Sequence, residues 1–458
     1  MGTLNTSLLI GMQALDASQA ALTASANNIA NANTAGYTEE VAQLSENQES
    51  VSSAGVTGGG VTLDGLQSIR NELLNMQIQQ QTSLQSSANQ QSSSLQQVQT
   101  LFTTSGDDIA STLTSLSSNL AALSANPSSS ATQQAVLSAG QNLADAFNTT
   151  AQGLTTAQAS SDSQVTQTVA QINTLSQQIA SLNQQLSQTA TTANNGGTVE
   201  DQRDEAVQQL SALTGISITQ SNDGEDITTG NGTPLVMGSQ SFSLQTTTGS
   251  DGFQQVLDSN GNNITSTIQG GTLGGAIQMR DQVIPGYLSQ LNTLASQFAT
   301  SFNAAQAQGF DSTGAAGQNF FTVPASTSDA ASGISVALTS GSQIAISSDG
   351  SAGSNGNVAN LSAAIANTLP SGQTAASAYA GLVFQVGNDA SNASTQSTAI
   401  GANLLQLTNQ QSSSSGVNID DETSNLIRFQ TAYEAGARIV STIQQLNADT
   451  IAMMSSGG

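Results

Sequence analysis

Two clusters of carboxylates are the residues of this sequence best placed to do chemistry: Asp201-Gln202-Arg203-Asp204-Glu205, three acids around one guanidinium, and Asp420-Asp421-Glu422. Paired acids can hydrolyse glycosides, and sets of oxygen ligands can bind calcium. Each cluster also stands where a helix is expected to begin. Acids in a first turn complement the helix dipole, and an Arg there can pair across one turn or reach another helix. The glycine run Thr57-Gly58-Gly59-Gly60-Val61 has no neighbouring Lys and reads as a flexible connection, not a phosphate cradle.

The remaining composition narrows the chemistry further. The 458 residues include no His, Cys or Trp, and all five cations are Arg. Imidazole bases, thiolates, nitrogen and sulfur metal ligands, Walker lysines and Schiff bases are thereby excluded. A sugar cleft lined with aromatics is hard to assemble when aromatics are 3% of residues, and neither acid cluster has the apolar setting that separates two pKa values. No enzymatic activity, cofactor or metal is expected. The net charge of −25 repels phosphate backbones and anionic lipids, so neither nucleic acid nor membrane is an expected partner. Only 8% of residues are charged, so the polar surface must be built from Ser, Thr, Gln, Asn and Gly. The start, Met1 to Ser7, has no basic stretch, and no window approaches the ~20 apolar residues of a membrane span, so export, if it occurs, is expected by another route.

The elements that would position these residues are mostly helical. Leu8, Leu15, Leu22 and Ile29 recur at heptad spacing, beside a second row of Leu4, Gly11, Ser18 and Ser25, which gives a helix with a narrow seam suited to close approach of a partner. Asn27 to Tyr37, rich in Asn and Gly, ends it in a turn. Helical spacing runs from about Leu66 to Leu123, breaks at Asn126-Pro127, and returns with the seam Val165, Ile172, Leu175, Ile179, Leu182 and Leu186. After Gly215, short apolar runs punctuated by Asn-Asp-Gly and Gly-Asn-Gly follow the grammar of strands and turns. One further hairpin is expected, with Ile334, Val336 and Leu338 against Ile344 and Ile346. The last helix carries Ile419, Leu426, Tyr433 and Val440 seven apart, with Phe429, Ile443 and Leu446 extending the stripe.

The expected fold is mainly α: an elongated helical bundle built from N- and C-terminal segments, with coiled-coil-like terminal helices and an inserted small β domain. Its expected divisions are an N-terminal axial-core helix (1–40), the first part of a helical bundle (41–214), a β domain (215–272), the second part of the bundle (273–305), a Gly/Ser-rich insertion with a hairpin (306–370), and the bundle end with a C-terminal axial-core helix (371–458).

Asn27-Asn28-Ile29, Asn31, Asn33 and Gly36-Tyr37 resemble the N-terminal signature of flagellar rod, hook and hook-associated subunits. Val417 to Glu422 with Asn425-Leu426-Ile427-Arg428-Phe429-Gln430 and Ala432-Tyr433 resembles the matching C-terminal one. Asn126-Pro127, Gln134 to Leu137, Asp201-Gln202-Arg203-Asp204, Gly271 to Gly275, Arg280-Asp281, Ile284 to Tyr287, and Phe302-Asn303 followed by Phe320-Phe321 narrow the resemblance to the hook-filament junction family of hook-associated subunits, over nearly the whole chain. Glu39-Glu40 depart from the pattern.

The resemblance implies a non-enzymatic, self-assembling structural component of the bacterial flagellum that adapts hook to filament. It implies a secreted, extracellular location between the two, reached by the flagellum's own type III export pathway. Implied partners are further copies of itself, the hook protein, the second junction protein, and a cytoplasmic export chaperone at the C-terminal helix. The implied assembly residues are Leu4, Leu8, Leu15, Leu22, Asn27, Asn28, Ile29, Asn31, Asn33, Gly36 and Tyr37 at one end, and Ile419, Leu426, Phe429, Tyr433, Val440, Ile443 and Leu446 at the other.

Overall fold

The computed structural model describes residues 2–34, 36–48, 50–52, 55–102, 108–189, 197–221 and 224–456. Helix α1 (Gly2–Asn31) leads into two antiparallel strand pairs, β1 (Glu40–Glu46) with β4 (Val61–Ser68) and β2 (Ser50–Ser52) with β3 (Gly55–Thr57). The described residues between 40 and 68 thus form a ribbon where the sequence suggested the start of the bundle. Leu66 belongs to β4, and the next helix, α2 (Glu72–Phe102), begins six residues later. The glycine connection ahead of β4 lies against α1: a Cβ on Gly60 would stand 2.3 Å from Gln13 Oε1, and its φ of +85° is one that glycine adopts freely.

Helices α3 (Ile109–Ala125), α4 (Ser130–Thr189) and α5 (Gly197–Leu213) follow. Six strands come next: β5 (Ile216–Ser221), β6 (Gly224–Thr229), β7 (Pro234–Met237) and β8 (Gln240–Ser241) form one antiparallel sheet in that order, and β9 (Gln245–Thr248) pairs with β10 (Gln254–Leu257). The chain then returns to helix in α6 (Gly271–Gln278) and α7 (Ile284–Gln306), joined by a π-helical segment from Met279 to Val283. Pro285 has no N–H and its ring crowds the carbonyl four residues back, so the helix widens just before it and continues.

Between α7 and the last helices lie β11 (Phe321–Thr322), the single turn α8 (Ala330–Gly333), β12 (Ser335–Val336) and α9 (Val358–Ala366). Here the expected hairpin is replaced. Val336 pairs with Phe321 instead of residues 344–346, which follow a 3-10 turn at Gly341–Gln343. The chain ends in α10 (Ala375–Ser415) and α11 (Ile419–Ser456).

Two cores organise this body. Leu116, Leu120, Phe147, Phe298, Phe302, Phe320 and Phe321 are among the fully buried residues of the larger one, built from α2 to α4 and α7 to α10. The smaller one joins α4, α5 and α6 to the β domain through Ile172, Ile179, Leu210, Leu235 and Val256. α4 serves both, since its 60 residues span about 90 Å at 1.5 Å per residue. Three polar side chains of α4 fasten the β domain to it. Asp162 accepts from the Gln254 N–H at 2.8 Å, Asn173 exchanges two 2.8 Å bonds with the backbone of Leu244, and Asn183 donates to the carbonyls of Glu225 and Gly238.

Candidate assembly interface

The two ends of the chain lie outside both cores and meet each other. α1 and α11 run antiparallel, with Asn28 near Glu422, Leu15 near Gly436 and Gly11 near Val440. Small residues permit the close approach: a Cβ on Gly11 would stand 2.9 Å from Val440 Cγ2, and one on Gly436 3.3 Å from Leu15 Cδ2. Leu4, Leu8, Leu15, Leu22 and Ile29 are half-buried, as are Leu426, Phe429 and Val440, while Ile443 is buried. The seams read from the sequence therefore serve first to join the two ends of one chain.

The other expected assembly residues divide by role. Asn28 is wholly buried and spent inside the subunit: its Nδ2 donates to the carbonyl of Glu40 and to Glu422 Oε1, and its Oδ1 accepts from the Glu40 N–H and the Tyr37 hydroxyl. Tyr37 and Asn31 are half-buried, and Asn27, Asn33 and Gly36 are exposed. Ile419, Tyr433 and Leu446 are exposed too. Sequence spacing missed the outward-facing Leu9, Met12, Ile427 and Ile439, all more than half exposed. They fall off the heptad rows, and only a second periodic stripe on each helix could have shown them.

A polar joint ties this helix pair to the body. Arg70, just after β4, reaches into the first turns of α5, with Nε 3.1 Å from Glu200, one terminal nitrogen 2.6 Å from Asp201 and the other paired with Asp204. Asp201 also accepts from the Thr38 N–H at 3.2 Å, and Arg203 pairs with Glu225 of β6 at 3.0 Å. The Asp-Gln-Arg-Asp cluster is thus a bracket between ribbon, α5 and β domain. Among the described residues no group of three or more acidic side chains is placed to hold a metal ion. In the second cluster, Asn418 accepts from the Asp420 N–H and donates to Asp421, which leaves Glu422 as Asn28's buried partner.

Acids outnumber cations at the joint. Burial, and then the Glu422 and Asp421 charges, push the Glu39 carboxyl up; burial, with Asp201 and Glu200, does the same to Glu40, against the pull of Arg70. Burial also raises Asp201 despite its Thr38 and Arg70 contacts, and the Tyr37 hydroxyl is pushed up to about 12, chiefly by burial. A polar cavity of about 600 Å³, lined among others by Tyr37, Thr38, Asp204, Gln411 and Ser415, lies between the joint and the end of α10.

Three family models match the chain in chain order: flagella basal body rod protein over residues 8–38, the helical domain of flagellar hook-associated protein FlgK over 95–321, and the C-terminal part of flagellar basal body rod FlgEFG proteins over 409–453. The first falls on α1 and the residues that follow it, and the last on the end of α10 and most of α11. The chain is similar to the flagellar hook-associated proteins over nearly its whole length. It is 27% identical to flagellar hook-associated protein 1 of Escherichia coli, over 94% of this chain and 96% of that one, and 28% identical to the protein of the same name in Bacillus subtilis, over 99% and 100%. Its fold matches the flagellar hook junction protein FlgK of Burkholderia pseudomallei with a TM-score of 0.67 at 20% identity, over 74% of this chain and all of that one. Other signature residues of hook-associated proteins find structural work here. Asn303 exchanges two hydrogen bonds with the Phe321 backbone, Phe302 stacks edge-on against Phe320 and Phe321, and buried Arg280 pairs with Asp162 and Asp281.

Proposed function

We propose that this protein is a non-enzymatic structural subunit of the hook-filament junction, self-assembling through α1 and α11. The observation that carries this reading is the contrast within the chain: a well-packed body, and two terminal helices that cover only each other and the ribbon while keeping apolar side chains turned outward. In the assembled structure, the helix pair lies in the axial core against copies of itself, the hook protein and the second junction protein, and the body faces outward. No described helix is long and apolar enough to cross a membrane. The subunit reaches its extracellular place through the flagellar type III pathway, unfolded, after a cytoplasmic chaperone has covered the apolar stripe of α11. A strain lacking the gene tests this: electron microscopy should show hooks without filaments and flagellin released to the medium, with filaments restored by the wild-type chain. Normal filaments in that strain would refute the reading.

A further inference from the structure

Glu422, at the start of α11, is 3% exposed, and among the described residues no arginine is paired with it. Its Oε1 accepts from Asn28 Nδ2 at 3.2 Å, whereas Oε2, equally enclosed, meets no amide, hydroxyl or guanidinium donor among the described residues. A buried carboxylate oxygen left without a donor is costly. The side chain that does reach Glu422 is another acid: the Glu39 carboxyl lies within hydrogen-bonding distance of it. The segment carrying Glu39 is fixed there from both sides, because the Glu39 N–H donates to the Ser415 carbonyl at 3.1 Å and Asn28 holds both backbone groups of Glu40. Two facing carboxyl groups attract only when one of them carries a proton, since two like charges so close repel.

We propose that Glu39, in its carboxylic-acid form, donates to Glu422 Oε2 and so latches the first turn of α11 onto the segment leading into β1, and that loss of this one proton opens the latch. Around the pair stand Asn28 of α1, Tyr37 and Glu40 of the same segment, Asp201 of α5 and Asp421 of α11, while Arg70 of the joint is taken by Glu200, Asp201 and Asp204. Burial, and then the Glu422 and Asp421 charges, keep Glu39 protonated to higher pH than an ordinary carboxyl. The latch is therefore complete below the ordinary carboxylate range. As pH rises through the raised value, Glu39 ionises, Oε2 loses its donor, and the two charges push the α11 turn and the segment apart. The device belongs to this chain's own Glu39, one of the two residues that depart from the N-terminal signature.

Carboxyl carbon NMR of the full-length chain, labelled at glutamate, reads the proton directly: the Glu39 midpoint should lie above the ordinary value and should fall in Glu422→Gln, which removes the facing charge. Proteolysis at the 32–38 turn, compared between variants at one pH so that the protease's own pH dependence cancels, reads the opening. Glu39→Ala, which has no donor, should be cut about tenfold faster than Glu39→Gln, whose amide N–H donates to Oε2 at any pH. The wild-type chain should match Glu39→Gln in mild acid and approach Glu39→Ala above the Glu39 midpoint. A midpoint unmoved by Glu422→Gln, or equal cutting of the two Glu39 variants, would overturn the proposal. So would a midpoint that falls on adding calcium chloride but not sodium chloride of equal ionic strength, since a cation and not a proton would then join the pair. Glu39 is only half-buried, so its two variants keep the test decisive should Glu422→Gln itself loosen the joint.

Discussion

The body around α4 and the α1–α11 pair use the same residues to different ends. Both are helices of Ser, Thr, Gln, Asn and Ala carrying a heptad of aliphatics. Along α4, Val136, Leu143, Leu154, Val165, Ile172 and Ile179 are all fully buried, because two cores cover the helix in succession. Among the described residues of α11, only Glu422, Gly436 and Ile443 are buried. A narrow seam makes an interior only where its flanks are covered as well, and most helical stability in proteins comes from such packing. On the reading proposed above, the ends of this chain are finished by neighbouring subunits.

The largest effect that could break this contrast lies in the body. Phe302→Ala removes a ring packed against Phe298, Phe320 and Phe321 and should cost about 3–5 kcal/mol, read as a shift of the urea midpoint. Arg70→Met leaves Glu200, Asp201 and Asp204 facing one another. The cost should be about 2–3 kcal/mol, below that of a fully buried network because water reaches these acids, and limited proteolysis should find the 32–38 turn opened first. Asn183→Ala leaves the carbonyls of Glu225 and Gly238 without their donor and should cost about 1–3 kcal/mol in thermal melts. By contrast, Leu15→Ser with Leu22→Ser should barely move the melting of the body, yet should abolish filament attachment in cells.

The smallest effect concerns pH. Glu39, Glu40 and Asp201 have pKa values raised by burial and by neighbouring acids, so the folded joint favours their protonated forms. Their favourable contribution is complete below the ordinary carboxylate values, about 4.5 for Glu and 3.8 for Asp, and is lost as pH rises through the raised values. Protease cleavage at the 32–38 turn should therefore quicken modestly on going from mildly acid to neutral pH. Glu39→Gln should flatten that dependence, and an unchanged profile would show that the joint is indifferent to this charge.

Much of the helical frame was legible in the sequence because its apolar spacing is long and regular. The ribbon at 40–68 was not, although Val61, Leu63 and Gly65 alternate, because Leu66 and Ile69 continue at a spacing that also suits a helix. The β11–β12 pairing could not be read, since two-residue strands carry no period. The seams of both terminal helices were legible, but not that they already meet within a single chain, nor that a second stripe lies outside them. The asparagines misled most. Composition assigns asparagine as a class to the polar surface, yet Asn28, Asn183 and Asn357 are completely buried, each tying backbone groups of separate elements together. An amide imitates a peptide group and can satisfy backbone carbonyls inside a core, a role that composition alone does not distinguish from solvation.

Hydrogen exchange of the free full-length chain and of the same chain assembled on hooks tests the division between body and ends most directly. The amides of α4, α7 and α10 should be equally protected in both states, while those of α1 and α11 should exchange far faster in the free chain and become protected only on assembly. Slow exchange of α1 and α11 in the free chain, matching that of α4, would contradict it.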